Sequence, residues 1–205
     1  MSTTKVKKSL AFIIAVMCIS SSAYTQANKL LKDYLNIPGP LVFENKAFDL
    51  SWSSHPAANF YKQEYLPKNE SAEQYKTMIL VDVVTGDAVI KNVVAAKVNE
   101  LKQLKAGNPM VNYEVINNPA TGEYMIDFVL TANAADGKTI SIVERNVYRY
   151  KALTTKVGQK GILLFGISTR AYGADVAAFF TSLKANRKDL VKKVSGVQMP
   201  DITIK

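Results

Sequence analysis

The residues able to do chemistry are few, and their spacing argues more against familiar reactions than for one. There is a single histidine, His55, in the run Ser53-Ser54-His55-Pro56. A nucleophilic serine would have to use it as base. Ser51, Ser53 and Ser54 lie too close in sequence to face it as a nucleophile does, and no Gly-x-Ser-x-Gly elbow exists. A zinc site takes three or four His, Cys or carboxylate ligands, and the chain has one histidine and one cysteine, Cys18. Phosphate loops, dinucleotide fingerprints and Asp-rich calcium loops are absent from the text. Seventeen acidic residues give no pair whose spacing sets two carboxylates on one cleft. No cofactor is expected, and no catalytic or metal-binding residue is assigned.

Two basic residues break the local pattern. Lys97 falls inside an apolar helical stripe of Ile90, Val93, Val94 and Leu101. Arg187 falls among Val176, Phe180, Leu183, Leu190 and Val191. Such a group must snorkel to water or meet a buried carboxylate. Glu144 shares strand parity with Ile140, Ile142, Tyr148 and Tyr150, which points to a β-bulge, an ion pair or a ligand contact. Glu144 and Asp127, both on expected central strands, are the partners to try for Arg187. Lys97, Asp127, Glu144 and Arg187 therefore form the candidate polar spot, because breaches of local consistency are where sites tend to lie. Eight tyrosines between Tyr61 and Tyr172 add hydroxyl-tipped apolar area that suits recognition as well as packing.

The N-terminus carries Lys5, Lys7 and Lys8, an apolar run Leu10–Ile19 and small residues Ser20–Ala23. That order predicts a secretory signal peptide over residues 1–27, with export to the periplasm or the cell exterior. The apolar run is shorter than the roughly 20 residues a membrane span needs, so no stable span is expected after cleavage. Met17 before Cys18 is too bulky for lipid attachment, and Cys18 leaves with the signal. Losing three lysines and no acids takes the net charge from +9 to +6. The remaining lysines are dispersed and form no nucleic-acid motif. Residues 28–205 read as one domain, since no repeat, linker or low-complexity tract divides them.

The elements that must position these residues follow from periodicity. A helical lead-in is expected over 28–40, then a hairpin of Leu41–Phe43 and Phe48–Trp52, and a strand Phe60–Leu66. Ser71 and Gln74 have capping-box spacing and predict a short helix over 71–78. A strand Met78–Val84 and a helix Ala88–Lys105 come next. Strands Met110–Ile116, Tyr124–Thr131, Thr139–Tyr150 and Gly161–Thr169 have short connections, which imply antiparallel neighbours. One long helix is expected from Gly173 to Val194. Ile162–Ile167 is apolar on both faces, as a covered mid-sheet strand requires. Together these predict an α+β fold, an antiparallel sheet flanked by helices in an α/β/α sandwich.

The segment Glu64-Tyr65-Leu66-Pro67-Lys68-Asn69-Glu70, followed by Tyr75-Lys76-Thr77-Met78, resembles PsbP/Mog1-like proteins among small exported bacterial chains. The element order over residues 41–195 resembles that sandwich as well. The resemblance implies a non-catalytic accessory or binding role and carries over no site residues. The functional expectation is thus an exported, non-catalytic binding or accessory protein whose partner is a protein or a small ligand. The alternatives are a hydrolase with an unfamiliar carboxylate or serine site, or a carrier of a small apolar ligand. A cleft uniting His55 with a serine and an acid would mark the hydrolase. An enclosed apolar cavity would mark the carrier, and a flat tyrosine-rich patch the interaction module.

Overall fold

Alternating and β-branched runs dominate the chain, and strands follow wherever they occur. The structure, a computed structural model, describes residues 31–204; the expected signal peptide over 1–27 lies outside them. Eight strands form in chain order: β1 (Leu41–Phe43), β2 (Lys46–Ala57), β3 (Phe60–Leu66), β4 (Thr77–Thr85), β5 (Asn112–Asn118), β6 (Glu123–Asn133), β7 (Ile140–Thr154) and β8 (Lys160–Tyr172). Three helices accompany them: α1 (Ile90–Gly107), α2 (Asp175–Ala185) and α3 (Arg187–Ser195). All neighbours pair antiparallel in one sheet of order β1-β2-β3-β4-β8-β7-β6-β5.

The expected helix-flanked sandwich is corrected here. Strand makes up 44% of the described residues and helix 22%, and the sheet curls on itself as a half-barrel. Three expected helices fail for identifiable reasons. Residues 31–40 are not helical; Leu35 and Ile37 plug one face of the sheet instead. Over 71–76 the Ser71 hydroxyl does accept from the Gln74 amide at 3.2 Å, but the turn does not propagate. Tyr75 is drawn down to pack with Leu66 and Met78, and β4 takes over at Thr77. The long terminal helix breaks at Asn186 (φ −125°, ψ 31°) into α2 and α3.

The two faces of the sheet follow from strand alternation. One face carries Tyr61, Tyr65, Ile79, Val81, Val83, Leu163, Phe165 and Ile167 in the largest core cluster. Leu35, Ile37 and Ile202 cap it, with the Thr203 amide donating to the Leu35 carbonyl at 2.9 Å. Farther along that face, α2 packs on Val129 and Val143, and α3 adds Leu190, Val191 and Val194. The opposite face takes α1, whose Val94 and Leu101 meet Ile126, Phe128, Tyr150 and Ile162. Strand β8 does lie mid-sheet, between β4 and β7, with apolar side chains on both faces. The hairpin between β1 and β2 turns at Glu44 and Asn45, both at positive φ (49° and 62°), the backbone a two-residue hairpin turn needs.

Candidate functional site

On β6, Asp127 points to the α2–α3 face and is 2% exposed. A carboxylate so far from water must be paired, and β7 supplies the partner. Val147 stands directly opposite Asp127 and Arg145 opposite Val129, so Arg145 reaches Asp127 on the diagonal. Its Nε donates to Oδ1 at 2.9 Å and one terminal nitrogen to Oδ2 at 3.1 Å, a two-pronged guanidinium–carboxylate contact. The same terminal nitrogen donates to the Arg187 carbonyl at 2.5 Å, tying the first turn of α3 to the sheet.

The helix break decides where Arg187 goes. In one continuous helix it would sit mid-stripe; starting α3, it swings over the edge of the sheet. Its Nε donates to Asp127 Oδ2 at 3.2 Å, and a terminal nitrogen lies 3.2 Å from Glu114. Glu114 and Asp127 face each other across β5 and β6. Like charges directly opposite repel, and Arg187 bridges them. The Arg187 side chain is nevertheless 44% exposed.

Beside this group a cleft of about 490 Å3 opens, lined by Asn112, Asp127, Val129, Phe180, Leu183, Lys184 and Arg187. Val129, Phe180 and Leu183 belong to the apolar cluster under α2. The cleft therefore has an apolar wall, a buried ion pair at its floor and two exposed cations at its rim.

The other face carries a second polar network. Glu144 accepts from the Tyr75 hydroxyl at 2.6 Å, from Asn146 at 2.9 Å and from Arg170 Nε at 2.8 Å. The Arg170 guanidinium also lies 4.1 Å from the Tyr75 ring centre. Burial and then the adjacent Glu144 charge push the Tyr75 hydroxyl's pKa well up. Asn146 in turn accepts from Ser168. Lys62 pairs with Asp82 at 2.6 Å, and burial raises the Asp82 carboxyl's pKa. Between these pairs sits Glu64, whose pKa burial lifts from an ordinary 4.5 to about 7, with Asp82 and Glu144 adding to the rise. Lys97, on α1, pairs with Glu100 at 2.9 Å and lies over the Phe128 and Tyr148 rings. One Glu100 oxygen is buried without a partner among the described residues.

The four residues read from the sequence thus divide. Asp127 and Arg187 come together at the cleft, while Lys97 and Glu144 lie on the opposite face in separate contacts. Sequence reasoning missed Arg145, although it stands between Val143 and Val147 in strand parity, the same signal that singled out Glu144. Glu64, Lys62 and Asp82 were missed because a strand with both faces covered shows no polar-out rhythm to violate. His55 stacks on Tyr61 with ring centres 4.2 Å apart and lies 5.5 Å from Tyr34. It makes no hydrogen bond to a serine or an acid among the described residues.

Residues 35–199 match the model of an uncharacterised protein family. The chain belongs to that family. No curated protein and no solved structure matches it. The family match spans β1 to α3 and therefore includes every residue of the cleft. Among the described residues of this family member, no helix is long and apolar enough to cross a membrane.

Proposed function

We propose that the protein is an exported, non-catalytic binding protein that holds a small ligand in the cleft beneath the α2–α3 break. The observation carrying this reading is the cleft itself. Its volume of about 490 Å3 falls in the range of small-molecule sites, roughly 300–1,000 Å3. Its make-up is also that of such sites, mostly apolar wall with a few fixed polar groups. Asp127 and Arg145 hold one another rigidly on adjacent strands, so the floor is organised before any ligand arrives. Export rests on the order of charge, apolar run and small residues over 1–27.

A fragment screen read by protein NMR tests this reading. Fragments that bind are expected to shift the Val129 and Leu183 methyl signals and leave those of Val94 and Leu101 on α1 unmoved. Hits scattered over the surface, with none at the cleft, would overturn it. The hydrolase reading has a separate check. Its minimal constellation would centre on His55, so ester hydrolysis that disappears in His55→Ala would revive it.

A further inference from the structure

The charges around the cleft do not cancel, and their exposures are unequal. Asp127 is taken up by the buried Arg145 at the floor. At the rim, Arg187 meets Glu114, and both side chains are half exposed, 44% and 56%. Lys184 also lines the cleft and is exposed, with no ion-pair partner among the described residues. One cation is thus in surplus. The Glu114 contact that occupies Arg187 is an exposed pair, a kind that contributes little and exchanges readily with water.

Asp127 fixes the direction of the Arg187 side chain through Nε, while a terminal nitrogen reaches the half-exposed Glu114. A carboxylate arriving from solution would find a guanidinium already aimed, with only a weak rival to displace. A planar fork suits a carboxylate better than a point charge does. Behind that position the wall is Val129, Phe180 and Leu183. We infer that the cleft selects an amphipathic carboxylate, with its anionic head on Arg187 and Lys184 in place of Glu114 and its apolar body against Val129, Phe180 and Leu183.

This inference rests on the binding reading above, and octanoate and octanol separate the two by isothermal titration. The protein is produced from the full-length gene and purified as its host processes it. Octanoate is expected to bind about tenfold more tightly than octanol, the worth of one charge-assisted contact. In Arg187→Gln that preference should fall several-fold, to what Lys184 alone supplies, with octanoate losing far more than octanol. In Glu114→Gln, octanoate should bind more tightly and octanol as before, because the rival carboxylate is gone. A purely structural role for Arg187 would not produce this opposite pair of effects. Equal binding of the two probes to the parent protein would overturn the carboxylate assignment and leave the binding reading standing. Binding of neither would overturn the carboxylate assignment too, and the binding reading would then be decided by the fragment screen.

Discussion

Asp127 and Arg145 are the residues on which the cleft floor depends. Asp127→Asn leaves a buried guanidinium facing a neutral amide, and breaking a buried pair typically costs about 3–5 kcal/mol. Chemical denaturation should show that loss, and the double change Asp127→Leu with Arg145→Met should lose less than Asp127→Asn alone. Arg187→Met should cost well under about 1 kcal/mol, because its side chain is 44% exposed and Asp127 keeps Arg145. Glu64 gives a prediction in pH. Its carboxyl holds a proton in the fold up to about 7, against an ordinary 4.5 once unfolded. Between those values the native state binds more protons, so this group's contribution is complete below about 4.5 and is lost as pH rises through 7. Glu64→Gln should therefore match the parent at pH 4 and exceed it at pH 8, by on the order of 3 kcal/mol. Parallel stability curves for the two proteins would contradict this. Arg187 was legible from the sequence as a charge that must snorkel or find a carboxylate, with Asp127 and Glu144 both open as partners, whereas Glu64 was not legible. A charge inside an amphipathic stripe announces itself, but one inside a fully covered strand has no pattern to break.

Among the elements, strands were more legible than helices. β3 spans the expected residues, β4, β6 and β8 contain the expected strands with longer ends, and β7 starts one residue later than expected and runs four residues further. Period-2 alternation and turn residues are local signals, so they survive without knowledge of the partner strand. The helical expectations failed over 31–40, the described part of 28–40, and over 71–78, because tertiary burial of Leu35, Ile37 and Tyr75 outweighed local propensity. The break at Asn186 was not legible, because the apolar stripe runs on through it; beyond the break Arg145, on β7, holds the Arg187 carbonyl. Gly166 shows the same dependence on a distant neighbour. A Cβ there would come within 2.8 Å of the Tyr148 ring, which stands edge-on to Phe128 under α1. Gly166→Ala should cost about 1–3 kcal/mol, as overpacking usually does. Thermal unfolding checks it, and an unchanged melting temperature would mean the ring is free to move.

At the scale of the whole molecule, eight strands closing into a half-barrel leave the sheet to bury much of itself. The sandwich expectation assumed two layers of helix over a flat sheet; curl was the missing ingredient, since strand twist accumulates across neighbours in a way no single segment records. α1 covers one face over β5–β8, and α2 and α3 cover part of the other, chiefly over β7 and β8. The gap left where α2 stops and α3 starts is the cleft, so the helix break creates the candidate site as well as aiming Arg187. The most direct test of this account is intermolecular NOE spectroscopy on the protein saturated with octanoate. The account predicts contacts from the octanoate chain to the Val129 and Leu183 methyls and the Phe180 ring, together with a shifted Arg187 Nε–H signal. Contacts confined to α1 or the β1–β2 hairpin, with Val129 and Leu183 silent at saturation, would contradict it.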